Sequence, residues 1–283
     1  MIDGQTGLIF LFGQLSITGS PEGRKLMLAV ISDIHSNVKA LKAVLADITN
    51  RGAKQVICLG DVVGYGPEPR ECLDLVMANA SVTLMGNHDY AVLYEPVKFN
   101  TGAESACFWT RQQLEDEPDA KKRAIRWDFL GSLQVKHVVD GSEYGMGEMA
   151  FLHGSPRRPI NEYFFPDDIY NNPAKIQGVF DRFSHLCFVG HTHVPGVFTQ
   201  APDFYSPDEL EDVYEVDSNR KALINVGSVG QPRDRDNRAC YVLVEDGTVR
   251  FVRVEYDVES VVKEVYAIPE LDDYLGTRLK EGR

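Results

Sequence analysis

Five short clusters in this sequence contain Asp, Asn and His side chains that could bind a metal ion. Each follows an apolar run, and they read Asp33-Ile-His35, Gly60-Asp61, Gly86-Asn-His-Asp89, His153-Gly154 and Gly190-His-Thr-His193. These residue types supply the mixed oxygen and nitrogen ligands that suit divalent first-row transition metals. Taken together, the clusters predict a metal site in which no cysteine takes part.

No single cluster carries this prediction. Residues two apart on an extended segment point the same way, so Asp33 and His35 could bind one ion together. An Asp that caps a helix beside a surface His is the more common meaning of such a triplet, and Gly60-Asp61 alone usually marks a turn. His191 and His193 repeat the spacing after an apolar run, where two imidazoles pack poorly unless something coordinates them. Metal binding is the economical explanation of the whole set.

The number of candidate ligands indicates two ions. A structural zinc site closes with four ligands and often uses thiolates, whereas seven oxygen and nitrogen ligands are enough for two ions that share a carboxylate. Two neighbouring ions suit in-line displacement at phosphorus. The candidate ligands are Asp33, His35, Asp61, Asn87, His153, His191 and His193.

The elements that must position these side chains follow from the apolar pattern. Residues 26–31 form a continuous apolar run, typical of a strand buried on both faces, and residues 37–48 have helical spacing with Ser36 or Asn37 as the cap. A strand and a helix follow at 55–59 and 70–78, and a third strand at 81–85 ends in the polar loop Gly86–Asp89.

The second half of the chain is dominated by strands. Apolar runs predict strands at 135–139, 149–152, 186–189, 196–199, 222–226, 239–244 and 249–254, with terminal helices at 258–267 and 271–279. Strand–helix units followed by many strands favour an α/β fold of two packed sheets with helices outside.

Domain organisation is predicted from the remaining segments. Residues 1–25 are expected to be a tail, either disordered or the product of an over-extended start, because their apolar run at 8–12 lacks the preceding basic residues of a signal peptide. Residues 26–283 are expected to form a single domain with a helical insertion near 95–133. This charged insertion would be a cap or flap, although a solvated helical face beside a loop fits the same pattern.

Composition narrows the classes of partner. The chain has 29 Lys and Arg against 42 Asp and Glu, a formal net charge of −13, which argues against a nucleic-acid partner. No apolar stretch reaches the length that spans a bilayer, and the five scattered cysteines contain no CxxC pair. We therefore expect a cytoplasmic protein with no membrane partner, and the sequence is compatible with an oligomer.

The order and spacing of the five clusters resemble those of the calcineurin-like metallophosphoesterase superfamily, whose D-x-H, G-D, G-N-H-[DE], H-G and G-H-x-H blocks occur here in that order between Met27 and Val254. The resemblance implies a four-layer α/β/β/α sandwich of two mixed sheets with flanking helices, and a site at one rim of the sheets. It also implies two divalent metal ions, whether Mn, Fe, Ni, Zn or Mg.

The resemblance further implies a role for each site residue. The family's pattern assigns Asp33, His35 and His193 to the first metal, Asn87, His153 and His191 to the second, and Asp61 to a bridge between them. A metal-bound hydroxide would attack phosphorus, and His88 would protonate or stabilise the leaving oxygen. Asp89 would either orient His88 or act as a structural cap.

Two residues differ from the pattern of the superfamily's protein Ser/Thr phosphatases, and these differences favour another branch of the superfamily. Gly64 and Tyr65 stand where those enzymes have an Asp that pairs with the catalytic histidine and an Arg that grips phosphate. The loop Gly64-Tyr-Gly-Pro67 instead resembles a bacterial and archaeal phosphodiesterase and phosphatase branch, often labelled diadenosine tetraphosphatase-related. The segments that end in Arg157 and Arg233 resemble it too, and these two arginines are candidates to bind substrate, although surface positions are more common for arginine.

The expected function is hydrolysis of small phosphomonoesters or phosphodiesters, among them nucleotides or dinucleoside polyphosphates. The alternative is a non-catalytic scaffold that keeps the fold and uses the site to bind a partner. Scaffold relatives typically lose ligands or the catalytic histidine, and none is missing from this sequence. Nuclease activity would use the same chemistry but is disfavoured by the acidic charge.

Overall fold

A computed structural model describes residues 26–283, so the predicted tail lies outside the described residues. Its strands are β1 (Leu28–Ile31), β2 (Gln55–Cys58), β3 (Val82–Thr83), β4 (His137–Val139), β5 (Met149–Phe151), β6 (Leu186–Val189), β7 (Gly196–Thr199), β8 (Asp203–Tyr205), β9 (Val213–Glu215), β10 (Ala222–Asn225), β11 (Ala239–Glu245) and β12 (Thr248–Val254). Its α-helices are α1 (Val38–Arg51), α2 (Pro69–Asn79), α3 (Asn87–Leu93), α4 (Thr101–Glu115), α5 (Ala120–Ser132), α6 (Asp168–Asn171), α7 (Pro173–Phe180), α8 (Val258–Tyr266) and α9 (Asp273–Glu281).

The strands form two mixed six-stranded sheets. The first has the order β3-β2-β1-β11-β12-β9 and the second the order β4-β5-β6-β10-β7-β8. Strands β1, β2 and β3 run parallel, as do β5, β6 and β10, whereas the other neighbours are antiparallel. Each sheet therefore contains three parallel strands, whose carboxyl ends lie at the same edge of that sheet.

Alternation along the buried strands produces the layers. In β1, Leu28 and Val30 pack between the two sheets, whereas Ala29 and Ile31 face the helices on the outside. In the second sheet, Phe151 faces the first sheet and Ala150 packs with α7 on the outer face. This arrangement confirms the predicted α/β sandwich of two mixed sheets with flanking helices.

Helix α1 shows how the chain leaves the first strand. The side chain of Asn37 accepts a hydrogen bond from the N–H of Ala40, which identifies Asn37 rather than Ser36 as the cap. The helix ends at Gly52, whose φ of 88° is a left-handed value that glycine adopts readily. The segment from Ile31 to Asn37 is thereby fixed between a buried strand and a capped helix.

The predicted loop Gly86–Asp89 is instead the start of a helix. The third strand covers only Val82–Thr83, and α3 begins at Asn87. The carboxylate of Asp89 accepts the N–H of Gly86 at 3.0 Å, which satisfies a backbone donor that a helix start leaves free. The first turn of α3 consists of polar residues, so the sequence shows no apolar periodicity there that would predict a helix.

Helices α4 and α5 occupy the stretch in which an insertion is predicted. One face of α4 is buried, including Ala106, Cys107 and Leu114. Another part of α4, around Ala103, packs with Leu275 and its neighbours in α8 and α9. The stretch is therefore packed against the body of the protein. No helix of the described residues combines the length and the apolar character needed to cross a membrane.

Candidate metal centre

The carboxyl ends of five strands bring the candidate ligands together. Asp33 and His35 follow β1, Asp61 follows β2, Asn87 follows β3, His153 follows β5, and His191 and His193 follow β6. The loops are tied by backbone hydrogen bonds, with Asp33 N–H to Gly60 O at 3.0 Å and Gly190 N–H to His153 O at 3.0 Å. All seven side chains are buried, the most exposed being Asn87 at 8%.

The first group of ligands centres on His193. Its Nδ1 lies 2.5 Å from the main-chain oxygen of Gln231, and because a carbonyl only accepts, Nδ1 carries the proton. Burial and the charge of Arg233 lower the pKa of His193, which favours the neutral ring. Its Nε2 then presents a lone pair 3.2 Å from Asp33 Oδ1 and 3.2 Å from His35 Nε2. A lone pair and a carboxylate at this distance repel one another unless a cation lies among them.

The second group centres on His153. Its Nε2 lies 3.1 Å from Asn87 Oδ1, 3.2 Å from His191 Nδ1 and 3.3 Å from Asp61 Oδ2. Burial disfavours the charged ring, but the carboxylates of Asp61 and Asp33 outweigh this effect and raise the pKa of His153 to about 9. The carboxylates around His153 therefore favour a positive charge at this point, which a bound metal ion would supply.

Asp61 lies between the two groups. Its Oδ2 is 3.6 Å from His35 Nε2 and 3.3 Å from His153 Nε2, and its Oδ1 accepts the N–H of His88 at 2.8 Å. One carboxylate oxygen thus faces both clusters of ligand atoms, while the other is held by the backbone. Among the described residues, the sets Asp33, His35, His193 and Asp61, His153, His191 each offer ligand atoms within 4.8 Å of one another.

These side chains and their contacts fit divalent cations. Converging oxygen and nitrogen atoms from buried Asp, Asn and His are the donor set that such ions prefer. His35 Nε2 and His193 Nε2 converge on one cluster, and His153 Nε2 and His191 Nδ1 on the other, with 3.2 Å between the two nitrogens in each pair. Buried nitrogen lone pairs this close to carboxylate oxygens are costly, and a cation between them would offset that cost.

The backbone at the ligands differs from the extended segment that the Asp33-x-His35 spacing suggested. Asp33, His35, Asp61, His191 and His193 all have left-handed φ values, between 48° and 66°. Such conformations are uncommon for residues with a Cβ and persist where the surroundings impose them. The two-residue spacing therefore brings side chains together through tight turns, not through alternation along a strand.

Glycines beside the ligands allow this close approach. A Cβ added to Gly190 would fall on the Asp33 carboxylate, and a Cβ on Gly86 would fall on the Asp61 carboxylate. Glycine is the residue that lets backbone come this near to another group. The glycines of the sequence clusters therefore have a steric role at the site.

Asp89 supports the loop that carries Asp61. Its Oδ2 accepts from the N–H of Asp61 at 2.7 Å and of Gly86 at 3.0 Å, and its Oδ1 accepts from Val62 at 3.0 Å and Val63 at 3.3 Å. Burial and the Asp61 charge raise the pKa of Asp89 to about 7, while these backbone donors oppose the rise. The contacts favour the structural interpretation of Asp89 over an orienting contact with His88.

His88 faces the ligands from the start of α3. Its Nδ1 lies 3.6 Å from the Sγ of Cys107, and its ring is 4.3 Å from the ring of Tyr65. Burial, supported by the charge of Arg233, lowers the pKa of His88 to about 4 despite the neighbouring Asp61. A Cβ on Gly64 would fall on His88 Nδ1. The thiol of α4 thus occupies the side of His88 at which the protein phosphatases are expected to have a carboxylate.

For the phosphoester hydrolysis that the resemblance implies, replacing Cys107 by Ala should lower kcat about fivefold without changing KM, since a hydrogen bond of about 1 kcal/mol to His88 is lost. The Cys107→Ser variant should recover most of the loss, because a hydroxyl can bond the same nitrogen. Steady-state hydrolysis of a chromogenic phosphoester measures both constants. Cys72→Ala, at a buried cysteine of α2 outside the site, is the control, and equal kinetics for both Ala variants would show that Cys107 only fills space.

The segment from Asn225 to Arg233 forms hydrogen bonds that hold the candidate ligands in position. Asn225 Nδ2 donates to Gly190 O at 2.8 Å, and Ser228 Oγ donates to Asp33 O at 2.8 Å. Gln231 provides the carbonyl that orients His193. Such outer contacts fix the tautomer and direction of metal-binding side chains. These bonds show that the segment contacts the loops of the candidate ligands.

The two candidate substrate arginines have different surroundings. Arg233 adjoins the candidate ligands, since its main-chain N–H donates to His193 O at 3.2 Å. Its charge also helps to lower the pKa values of His88 and His193. Arg157 lies 3.5 Å from the carboxylate of Glu162 and, in the described part of the chain, shares no hydrogen bond or ion pair with the ligands. The role of Arg157 therefore stays a prediction.

Two further residues adjoin the site without having been predicted. The ring of Tyr163 stacks on that of His191, with centroids 3.9 Å apart and planes inclined by 17°. Arg278 of α9 reaches the ring of Tyr65, which contacts the rings of His35 and His88. Neither lies near a ligand in sequence, and a lone Tyr or Arg carries no signal of its own. Only the folded chain identifies them.

Comparisons with known proteins agree with this geometry. A family model described as the calcineurin-like phosphoesterase superfamily domain matches residues 26–247. An uncharacterized protein of Methanocaldococcus jannaschii is 39% identical over 267 residues, covering 92% of this chain and 99% of that protein. A metallophosphoesterase from Sphaerobacter thermophilus has a crystal structure similar to this one, with a TM-score of 0.75 and 35% identity over 92% of this chain and 100% of that chain. A hypothetical protein from Pyrococcus horikoshii shares the fold, with a TM-score of 0.68 and 19% identity over 91% and 99% of the two chains.

Proposed function

The chain belongs to the calcineurin-like phosphoesterase superfamily, and on this premise we propose that it hydrolyses small phosphomonoesters or phosphodiesters at a pair of divalent cations. The observation that carries the proposal is the position of Asp61, whose one carboxylate oxygen faces both groups of buried ligands. Nucleotides and dinucleoside polyphosphates are among the substrates that we propose, in the cytoplasm and without a membrane or nucleic-acid partner.

The ligands divide between two cation positions. Asp33, His35 and His193 would hold one ion, and Asn87, His153 and His191 the other, with Asp61 shared. Bound divalent cations would neutralise charge on the phosphoryl group and lower the pKa of an attacking water. The buried ligands keep bulk water away from this region, which strengthens the electrostatic interactions within it.

The surrounding side chains would then handle the proton and the phosphate. His88 contacts Cys107 through Nδ1 and lies beside Asp61 and His35, and its other ring nitrogen would protonate the leaving oxygen. The low pKa of the ring in the unliganded protein would rise when a phosphoester dianion lies beside it. Arg233, next to His193, would bind a non-bridging phosphate oxygen.

Hydrolysis of p-nitrophenyl phosphate or its bis ester by the purified, manganese-loaded protein tests the proposal. We expect turnover with at least one of the two esters, its loss after treatment with a chelator, and its return when a divalent ion is added back. Repeating the assay with Fe, Ni, Zn and Mg would rank the metals. Metal-loaded protein that binds two ions per chain but cleaves neither ester, nor nucleotides or dinucleotides, would instead support the non-catalytic scaffold.

A further inference from the structure

Two arginines approach the same tyrosine beside the metal centre. The guanidinium carbons of Arg233 and Arg278 each lie 6.0 Å from the ring centroid of Tyr65. Arg233 comes from the loop after β10 and Arg278 from α9, so the two meet only in the folded chain. Tyr65 in turn contacts the rings of His35 and His88, at 4.7 Å and 4.3 Å. The arginine pair therefore borders the site itself.

Neither guanidinium forms an ion pair with a side-chain carboxylate in the described residues. Arg233 Nη2 donates to the side-chain oxygen of Gln231 at 3.1 Å, and its Nε is buried without a partner. Arg278 Nε donates to the main-chain oxygen of Arg283 at 2.6 Å. Arg233 also shares a side-chain hydrogen bond with Tyr65. The donors of the two planar groups that these contacts leave over have no partner among the described residues and can bind an anion.

The buried Arg126, away from the site, has different surroundings. It forms ion pairs with Asp74 and Glu117, and the hydrogen bonds that it donates to Asp74 are the main cause of its raised pKa. For Arg278, burial and then the charge of Arg233 lower the pKa to about 10. A chain with 42 acidic and 29 basic side chains has no shortage of carboxylates. Two neighbouring arginines that form no ion pair with a side-chain carboxylate of the described residues indicate a binding place for an anion from outside the protein.

Aromatic rings border this place. Tyr163 stacks on His191 and is 46% exposed, and Tyr274 lies with its centroid 5.6 Å from the guanidinium carbon of Arg278. Both tyrosines and Tyr65 interact electrostatically with Arg278. Rings of this kind limit solvent around a charge while their hydroxyls can donate to an anion.

We propose that Arg233 and Arg278 form a second anion subsite, which binds a phosphate group adjacent to the one that is hydrolysed. Arg233 lies next to His193, whereas Arg278 belongs to α9, beyond the residues that the family model matches. Outward from the candidate metal centre, Arg233 therefore comes first and Arg278 second. The inference rests on the proposed function in taking the inner phosphate as the reacting one, and it assigns to the protein substrates with two neighbouring phosphate groups.

Calorimetric titration of the manganese-saturated protein with two phosphonates tests the subsite without turnover. Methylphosphonate carries one anionic group and methylenediphosphonate two, and neither contains a hydrolysable P–O ester. The Arg278→Gln variant should bind methylenediphosphonate about tenfold more weakly, as loss of a charge-assisted hydrogen bond would cause, and methylphosphonate nearly as well as the wild type. Total manganese is kept the same throughout so that chelation affects all variants equally.

Two further variants keep the result interpretable. Lys280→Gln removes the same charge from the same helix at an exposed residue paired with Glu259, and should change neither affinity. Arg278→Lys keeps the charge and should lie between wild type and Arg278→Gln. Equal weakening of both phosphonates, or no weakening in Arg278→Gln, would overturn the subsite. Failure of the proposed function shows separately, as protein that binds phosphonates but hydrolyses no ester.

Discussion

Replacing His88 by Asn should lower kcat for phosphoester hydrolysis about 10²- to 10⁴-fold, the contribution typical of one positioned proton donor. Metal content should stay at the wild-type value, because we propose that His88 is not a ligand. Its ring does lie with Asp61 and His35 within 4.8 Å, so ligation is geometrically open to it. Inductively coupled plasma mass spectrometry of the dialysed variant, beside its kinetics, decides between the two roles.

The matched control is His185→Asn. His185 is buried in the second half of the chain, where Nδ1 accepts from Gly147 N–H at 3.0 Å and Nε2 donates to Asp217 O at 3.1 Å, away from the ligands. This variant should keep wild-type kcat. If His88→Asn lost metal in proportion to its activity, His88 would be a ligand, and the proton-donor assignment would be wrong.

The Asp61→Asn variant should lose both metal and metal-dependent stability. Binding at a metal concentration 100 times Kd stabilises a folded protein by about 2.7 kcal/mol, so manganese should raise the melting temperature of the wild type by about 5–10 °C. An amide in place of the shared carboxylate removes the charge that faces both ligand groups, and this rise should largely disappear. Turnover should fall at least as far as in His88→Asn, because the metal is lost with it.

Differential scanning fluorimetry with and without manganese measures this effect. Asp47→Asn makes the same change in α1, where the carboxylate pairs with Arg51 outside the ligand cluster, and should keep the full manganese response. An Asp61→Asn protein that still holds two ions and melts like the metal-loaded wild type would remove the bridging role on which the proposed function depends.

Much of the fold could be predicted because burial leaves a direct pattern in the sequence. The apolar runs that became β1, β5, β6 and β11 lie in the interior, where each residue must be apolar. Short exposed strands gave no such pattern. Strand β8 has two exposed residues of three, and β9 has none that is fully buried, so neither was predicted.

The candidate ligands could be named from sequence, but their geometry could not. Residue type reveals that Asp33 and His35 can bind a metal, whereas their left-handed φ values follow from contacts with other loops, such as Asp33 N–H to Gly60 O. Tyr163 and Arg278 reach the site from distant segments. Long-range approach of this kind has no local signal, which is why these residues emerged only with the structure.

Gly64 and Cys107 show how one position constrains another. The sequence marked Gly64 as the place of a missing carboxylate, and the structure puts His88 Nδ1 where any Cβ at that position would lie. Restoring the carboxylate by substitution would thus displace the histidine that it is meant to support. The partner of His88 is instead Cys107 of α4.

The two strands that pair with β1 also determine when, during translation, the candidate metal centre can form. Leu28 and Val30 pair on one side with Gln55 and Ile57 of β2 and on the other with β11, near the end of the chain. Native contacts this distant in sequence raise the contact order and slow folding. Until β11 has left the ribosome, β1 is an unpaired sheet edge, and the loop that carries Asp33 and His35 lacks its support. A partly synthesised chain therefore lacks the completed candidate metal centre.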